Sequence, residues 1–153
     1  MSAFDDYVEY VRSLFAERRL APEYLPIRGI ATSKASGTVD SGPGLRVRLG
    51  PSTGPVGIVL KNGRACLQFT ELVEIGNDGT ADVLTYTYHY SDSTYGEPLS
   101  VRFDKDARAA RADHPEHHVH VQPLPCHEIR LPTGAVKLEQ VLDLIAHQFG
   151  AAS

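Results

Sequence analysis

Paired cysteines are missing from this chain: Cys66 and Cys126 are its only two, they stand far apart, and neither belongs to a Cys-x-x-Cys pair. That removes the common zinc-knuckle and dithiol redox arrangements and leaves two free thiols suited to a reducing compartment. No stretch approaches the roughly 20 consecutive apolar residues of a membrane span. The segment from Met1 to Tyr10 opens on acidic and aromatic residues, without the basic stretch and apolar block of a secretory signal. A cytoplasmic protein without membrane contact is the expectation. Excess positive charge is missing too, since 15 Lys and Arg against 19 Asp and Glu give a formal net charge of -4. A protein that holds nucleic acid by blanket phosphate neutralisation needs a basic field, so that mode is disfavoured, whereas local contact with RNA at a small basic site is not.

What is present is ordinary globular material. Hydrophobic residues at 42% and charged residues at 22% argue against disorder and fibrous repeats, and the length suits one domain spanning residues 1–153. Phe4, Tyr7, Val8, Val11, Leu14 and Phe15 recur at three and four, which predicts an amphipathic helix from Phe4 to Arg19. Ser2 stands where a cap belongs, Asp5 and Asp6 suit the positive end of the helix dipole, Arg12, Arg18 and Arg19 lie toward the other end, and Pro22 stops it. From residue 26 to 57 Gly, Pro, Ser and Thr dominate, and only Leu45–Leu49 alternates like a strand. Loops with one hairpin arm are predicted there; the glycines lack the Gly-Lys-Ser/Thr ending and following helix of a phosphate loop. Val56–Leu60 and Ala65–Ile75 predict a hairpin in which Asn62 and Gly63 supply the positive φ angles of a two-residue turn. Asn77, Asp78 and Gly79 mark the next turn, Asp82–Tyr90 the next strand, Leu99–Asp104 its return, 105–115 a loop or one helical turn, and His117–Gln122 a short strand. Leu138, Val141, Leu142, Ile145 and Phe149 predict a last helix ended by Gly150. The expected fold is α+β: an antiparallel meander of about five to six strands with an N-terminal and a C-terminal helix packed on it.

Five of the seven histidines fall between His114 and His127. On a strand His118 and His120 point to one side and His117 to the other, and three roles stay open for that two-imidazole face. Imidazole titrates near neutral pH, so the pair can move protons to and from ribose and phosphate oxygens. His-x-His on a strand can also give two ligands to a transition metal, although no cysteine pair accompanies it and Gln122 stands where a familiar Asp ligand would be. The third role is non-catalytic, a strand edge or an oligomer contact. Arg102 and Asp104 share a face of their own strand. A guanidinium beside an acid–base group steadies phosphoryl charge, and the plain alternative is a surface ion pair worth under about 1 kcal/mol. Alternation puts Leu84, Tyr86, Tyr88 and Tyr90 on one face and Val83, Thr85, Thr87 and His89 on the other; Tyr86 and Tyr88 either stack on a base or fill the core.

Taken in order, Leu67–Glu71, Leu84–Tyr90, Val101–Asp104 and His114–Val121 resemble the TumE family of bacterial toxins from toxin–antitoxin operons. That family carries a strand with a glutamate, a Tyr-x-Tyr-His strand, an Arg-Phe/Tyr-Asp strand and a proline-led turn into His-x-His. The likeness covers roughly residues 65–121; Lys105 stands where the family usually has Asn, and the segment after the first helix looks like an addition. The resemblance implies an RNA-directed toxin, a small metal-independent ribonuclease without a cofactor, neutralised by a cognate antitoxin protein encoded beside it, with room for a homodimer. In that reading His118 and His120 share acid and base duties, Arg102 steadies the phosphate, Asp104 orients a histidine or the arginine, and Tyr86, Tyr88 and His114 hold the substrate. Two alternatives remain: a non-catalytic binding subunit of a bacterial defence or regulatory complex, and a metal-dependent hydrolase using His114, His118 and His120.

Overall fold

Apolar residues repeating at three and four form a helix at each end of the chain, and alternating residues between them form strands. The computed structural model describes residues 3–20, 25, 27–31, 45–53, 57–76, 78–93, 99–106, 115–124 and 127–148. Helix α1 (Ala3–Glu17) is followed by β1 (Ile27–Ala31), β2 (Leu45–Pro51), β3 (Ile58–Val59), β4 (Ala65–Ile75), β5 (Ala81–Asp92), β6 (Leu99–Lys105), β7 (His117–Leu124), β8 (His127–Pro132) and helix α2 (Leu138–Gln148). All strands pair antiparallel in one open sheet ordered β1-β2-β4-β5-β6-β7-β8, with β3 beside β4. The α+β class and its two terminal helices hold, and among the described residues the strands number eight where about five to six were expected.

Helix α1 buries Val8, Val11, Leu14 and Phe15 along the expected stripe. It ends earlier than Arg19, by a mechanism that uses Arg19 itself. That residue takes the left-handed conformation (φ 55°), and the Leu20 and Arg19 amides donate back to the Phe15 and Ala16 carbonyls. This is a Schellman turn flanked by Leu20 and Phe15, both fully buried in the core, with arginine where glycine is usual. Helix α2 buries Leu138, Val141, Leu142 and Ile145, and the Gln140 side chain accepts from the Lys137 amide at its start. Arg18 fastens the helices together, donating through Nε to Asp143 at 2.7 Å. Ser2, Pro22, Asn77, His114, Cys126, Phe149 and Gly150, named in the sequence reading, lie outside the described residues.

In the stretch from 26 to 57, read as loops with one hairpin arm, the arm expected at Leu45–Leu49 is β2 and β1 is a strand not foreseen, while of the arm expected over Val56–Leu60 the described residues carry β3. Strand β1 escapes sequence reading because Gly29 interrupts it. That glycine is there for contact, since a Cβ would lie 2.0 Å from the Phe4 ring of α1. The Asn62–Gly63 turn also differs: only Gly63 has positive φ, and Asn62 instead accepts the Arg64 and Ala65 amides through Oδ1. Strand β8 was missed because Glu128 and Arg130 break its apolar content and Pro132 ends it. In β5 the register slips between Leu72/Thr85 and Val73/Val83, a bulge at Leu84 that returns Val83 to the tyrosine face.

Both helices cover one face of the sheet. Their buried residues form one core with Leu49, Leu67, Phe69, Tyr86, Tyr88 and Tyr90. Residues directly opposite in antiparallel register share a face, so Thr87, His89, Arg102, Asp104, His118 and His120 all lie on the other one. The sheet thus separates an apolar layer from a polar one.

Candidate functional site

The polar face gathers its chemistry where β6 and β7 run together. Arg102 pairs with His120 and Asp104 with His118 in register, which brings four sequence-predicted residues into one cluster. Arg102 Nε donates to Asp104 Oδ2 at 2.8 Å, and Arg102 Nη2 donates to His120 Nε2 at 3.1 Å. The Nε2 atoms of His118 and His120 lie 3.7 and 3.3 Å from that same Asp104 oxygen. His118 and His120 are buried, at 1% and 6% side-chain exposure, whereas Arg102 is 40% exposed and is the member that meets solvent. Beside them Thr87, Arg102, Asp104, Asp106 and His118 line a recess of about 330 Å3.

The outer nitrogens settle the tautomers. His118 Nδ1 lies 2.8 Å from the Pro115 carbonyl, which can only accept, so this nitrogen carries a proton. His120 Nδ1 donates to Glu128 Oε1 at 2.7 Å by the same logic. Its Nε2, accepting from Arg102, is therefore the lone-pair nitrogen of a neutral ring. The hydrogen bond from His120, joined by one from Arg130, holds the Glu128 carboxyl below its ordinary range. Glu128 was not found from sequence. The signal was the alternation of Glu128 and Arg130 with Ile129 and Leu131 on β8, hidden in a polar hexapeptide between prolines.

His89 flanks the cluster, bonded through Nε2 to Ser100 Oγ at 2.8 Å; burial and then the Arg102 charge push its pKa down. The structure does not bring Tyr86 and Tyr88 to the histidine cluster. They stack on each other at 4.7 Å on the helix-covered face, 5% and 1% exposed, across the sheet from the histidine pair. Side-chain alternation forbids their sharing the recess. Tyr88 Oη instead donates to Glu71 Oε1 at 2.6 Å, and Tyr7 Oη to Glu71 Oε2 at 2.8 Å. Burial pushes the Glu71 carboxyl up, against the pull of its two tyrosine donors. Tyr86 Oη meets His117 Nδ1 at 3.0 Å, so His117 works on the helix side. His114 lies outside the described residues.

Fold and site together define an α+β protein that carries a histidine–arginine–carboxylate cluster on the helix-free face of an antiparallel sheet. A family model described as Toxin TumE matches residues 45–149, and the chain belongs to that family of toxins. No curated protein and no solved structure matches it. Among the described residues no helix is long and apolar enough to cross a membrane.

Proposed function

We propose that this toxin cuts RNA as a small metal-independent ribonuclease using the β6–β7 cluster, within a single domain spanning residues 1–153. The observation that carries the reading is the chain Glu128–His120–Arg102. A carboxylate orients an imidazole, whose lone pair meets a guanidinium at the edge of a recess. His120 Nε2 takes the proton of a ribose 2′-hydroxyl, and the 2′-oxygen attacks the adjacent phosphorus. Arg102 turns outward from His120 to the phosphate and offsets the charge on its equatorial oxygens. His118, protonated at Nε2 beside Asp104, gives a proton to the departing 5′-oxygen, leaving a 2′,3′-cyclic phosphate. Asp104 positions both Arg102 and His118. A cognate antitoxin partner and a cytoplasmic site of action go with the toxin role, and a homodimer would use surfaces away from this recess.

The test is expression of the chain and of His120→Ala, followed by growth arrest and RNA integrity, with purified protein assayed on RNA in a chelator. Arrest and cyclic-phosphate ends from the wild type, each reduced at least about a hundredfold in His120→Ala, are expected for loss of an acid–base group. Equal toxicity of the two proteins, or intact RNA, refutes the proposal. One observation favours a second reading, a non-catalytic binding subunit: His118 is 1% exposed and anchored to Pro115. A stable partner in pull-downs, with function kept by the histidine variants, would select it.

A further inference from the structure

Three atoms of the cluster share a geometry that proton transfer alone does not require. His118 Nε2 and His120 Nε2 converge on one oxygen, Asp104 Oδ2, at 3.7 and 3.3 Å, and the ligand atoms of these three residues lie within 4.8 Å of one another. A tetrahedral zinc ion with bonds of about 2.0–2.2 Å sets its ligands about 3.3–3.6 Å apart, so both imidazole–carboxylate distances come close to fitting and the separation of the two nitrogens, at most 4.8 Å, has to close by up to about 1.5 Å. The outer nitrogens are already anchored, His118 Nδ1 on the Pro115 carbonyl and His120 Nδ1 on the Glu128 carboxylate. Imidazoles that bind metal through Nε2 carry this kind of second anchor, which sets the tautomer and raises the basicity of the ligating nitrogen.

We propose that His118 Nε2, His120 Nε2 and Asp104 Oδ2 form a three-ligand site for a zinc-class divalent ion, with a remaining coordination position for water. Two imidazoles and a carboxylate suit zinc and its first-row neighbours rather than magnesium or calcium, which favour all-oxygen shells. Arg102 is the competing cation. Its guanidinium donates to Asp104 Oδ2 and to His120 Nε2, so it holds two of the three ligand atoms, and its 40% exposed side chain has room to swing outward. Ion and arginine alternate in one site. Binding stands apart from the ribonuclease reading; only its consequence rests on that reading, because an ion on both imidazole lone pairs leaves no base for the 2′-hydroxyl.

The experiment titrates the full chain with Co2+ and then displaces it with Zn2+. One Co2+ per chain is expected, with the visible absorption of a tetrahedral centre, lost in His118→Gln and in Asp104→Asn. In Arg102→Met affinity should rise on the order of tenfold, because a like charge beside the ion is gone. A structural role for Arg102 would loosen the site instead. Urea midpoints without metal identify variants that fail to fold; should both ligand variants fail, exposed Glu128→Ala carries the test with a loss of about 10–100-fold in affinity. Absence of one-equivalent binding in both the wild type and Arg102→Met, binding retained by His118→Gln and Asp104→Asn, or, where those do not fold, affinity unchanged in Glu128→Ala overturns the site. RNA cleavage followed in parallel should stop at saturating Zn2+ and return with chelator. Cleavage that continues with the ion bound leaves the site standing and removes the histidine acid–base reading.

Discussion

Tyr88→Phe removes one oxygen from the helix-covered side of the sheet and isolates the worth of the Glu71 carboxylate there. Glu71 is 1% exposed and its oxygens accept from Tyr88 at 2.6 Å and Tyr7 at 2.8 Å. A hydrogen bond to a charged group is worth about 1.5–3 kcal/mol, and leaving a buried acceptor short of a donor puts the cost at about 2 kcal/mol. With a urea slope of about 2 kcal/mol/M for a domain of this size, the unfolding midpoint should fall by about 1 M. Tyr7 is only half-buried, so Tyr7→Phe should cost less. The decisive measurement repeats Tyr88→Phe in a Glu71→Leu background. There the hydroxyl has already lost its acceptor, so its removal costs little, and the double-mutant cycle should return a coupling of about 2 kcal/mol. A coupling below about 0.5 kcal/mol would show that the pair is held by packing and not by the hydrogen bond, and would refute the reasoning. RNA cleavage by Tyr88→Phe should be unchanged where the protein remains folded, because the tyrosine is across the sheet from the recess.

The same carboxylate sets a pH dependence. Burial raises its folded pKa above the unfolded value, so the stability linked to Glu71 is fully present below the unfolded pKa and is lost as pH rises through the folded one. Glu71→Gln, which keeps an acceptor and carries no charge, should lack that decline, so its urea midpoint should gain on the wild type as pH rises from acid to neutral; parallel pH profiles would count against a raised pKa. On the other face, Glu128→Gln should lower kcat/KM for RNA by about tenfold, since an amide nitrogen turned toward His120 Nδ1 favours the tautomer whose Nε2–H faces Arg102. The urea midpoint should not move, because Glu128 is exposed, and unaltered kinetics would remove its positioning role.

Much of the architecture was legible because periodicity is a local property. The stripes Val8–Phe15 and Leu138–Ile145 required helices, and the alternation in Ala65–Ile75 and Asp82–Tyr90 required strands, whatever surrounded them. The same period of two put His118 with His120 and Arg102 with Asp104 before any pairing was known. The ordered motifs from Leu67 to Val121 pointed to the TumE toxins, and the family match agrees. Pairing itself was decided only in three dimensions. The β6–β7 register set His120 opposite Arg102, and β8, a polar edge strand with a weak pattern of its own, delivered Glu128 to His120. Tyr86 and Tyr88 went to the far side because the helices cover that face, and burial of an aromatic ring outweighs its use on a surface. Helix α1 stopped at a left-handed Arg19 because burial of Leu20 in the core, together with the capping hydrogen bonds, offsets a conformation that arginine on its own disfavours. A sequence carries its periods residue by residue, but which strand edge meets which, and which face is covered, depends on contacts between distant segments that no local pattern encodes.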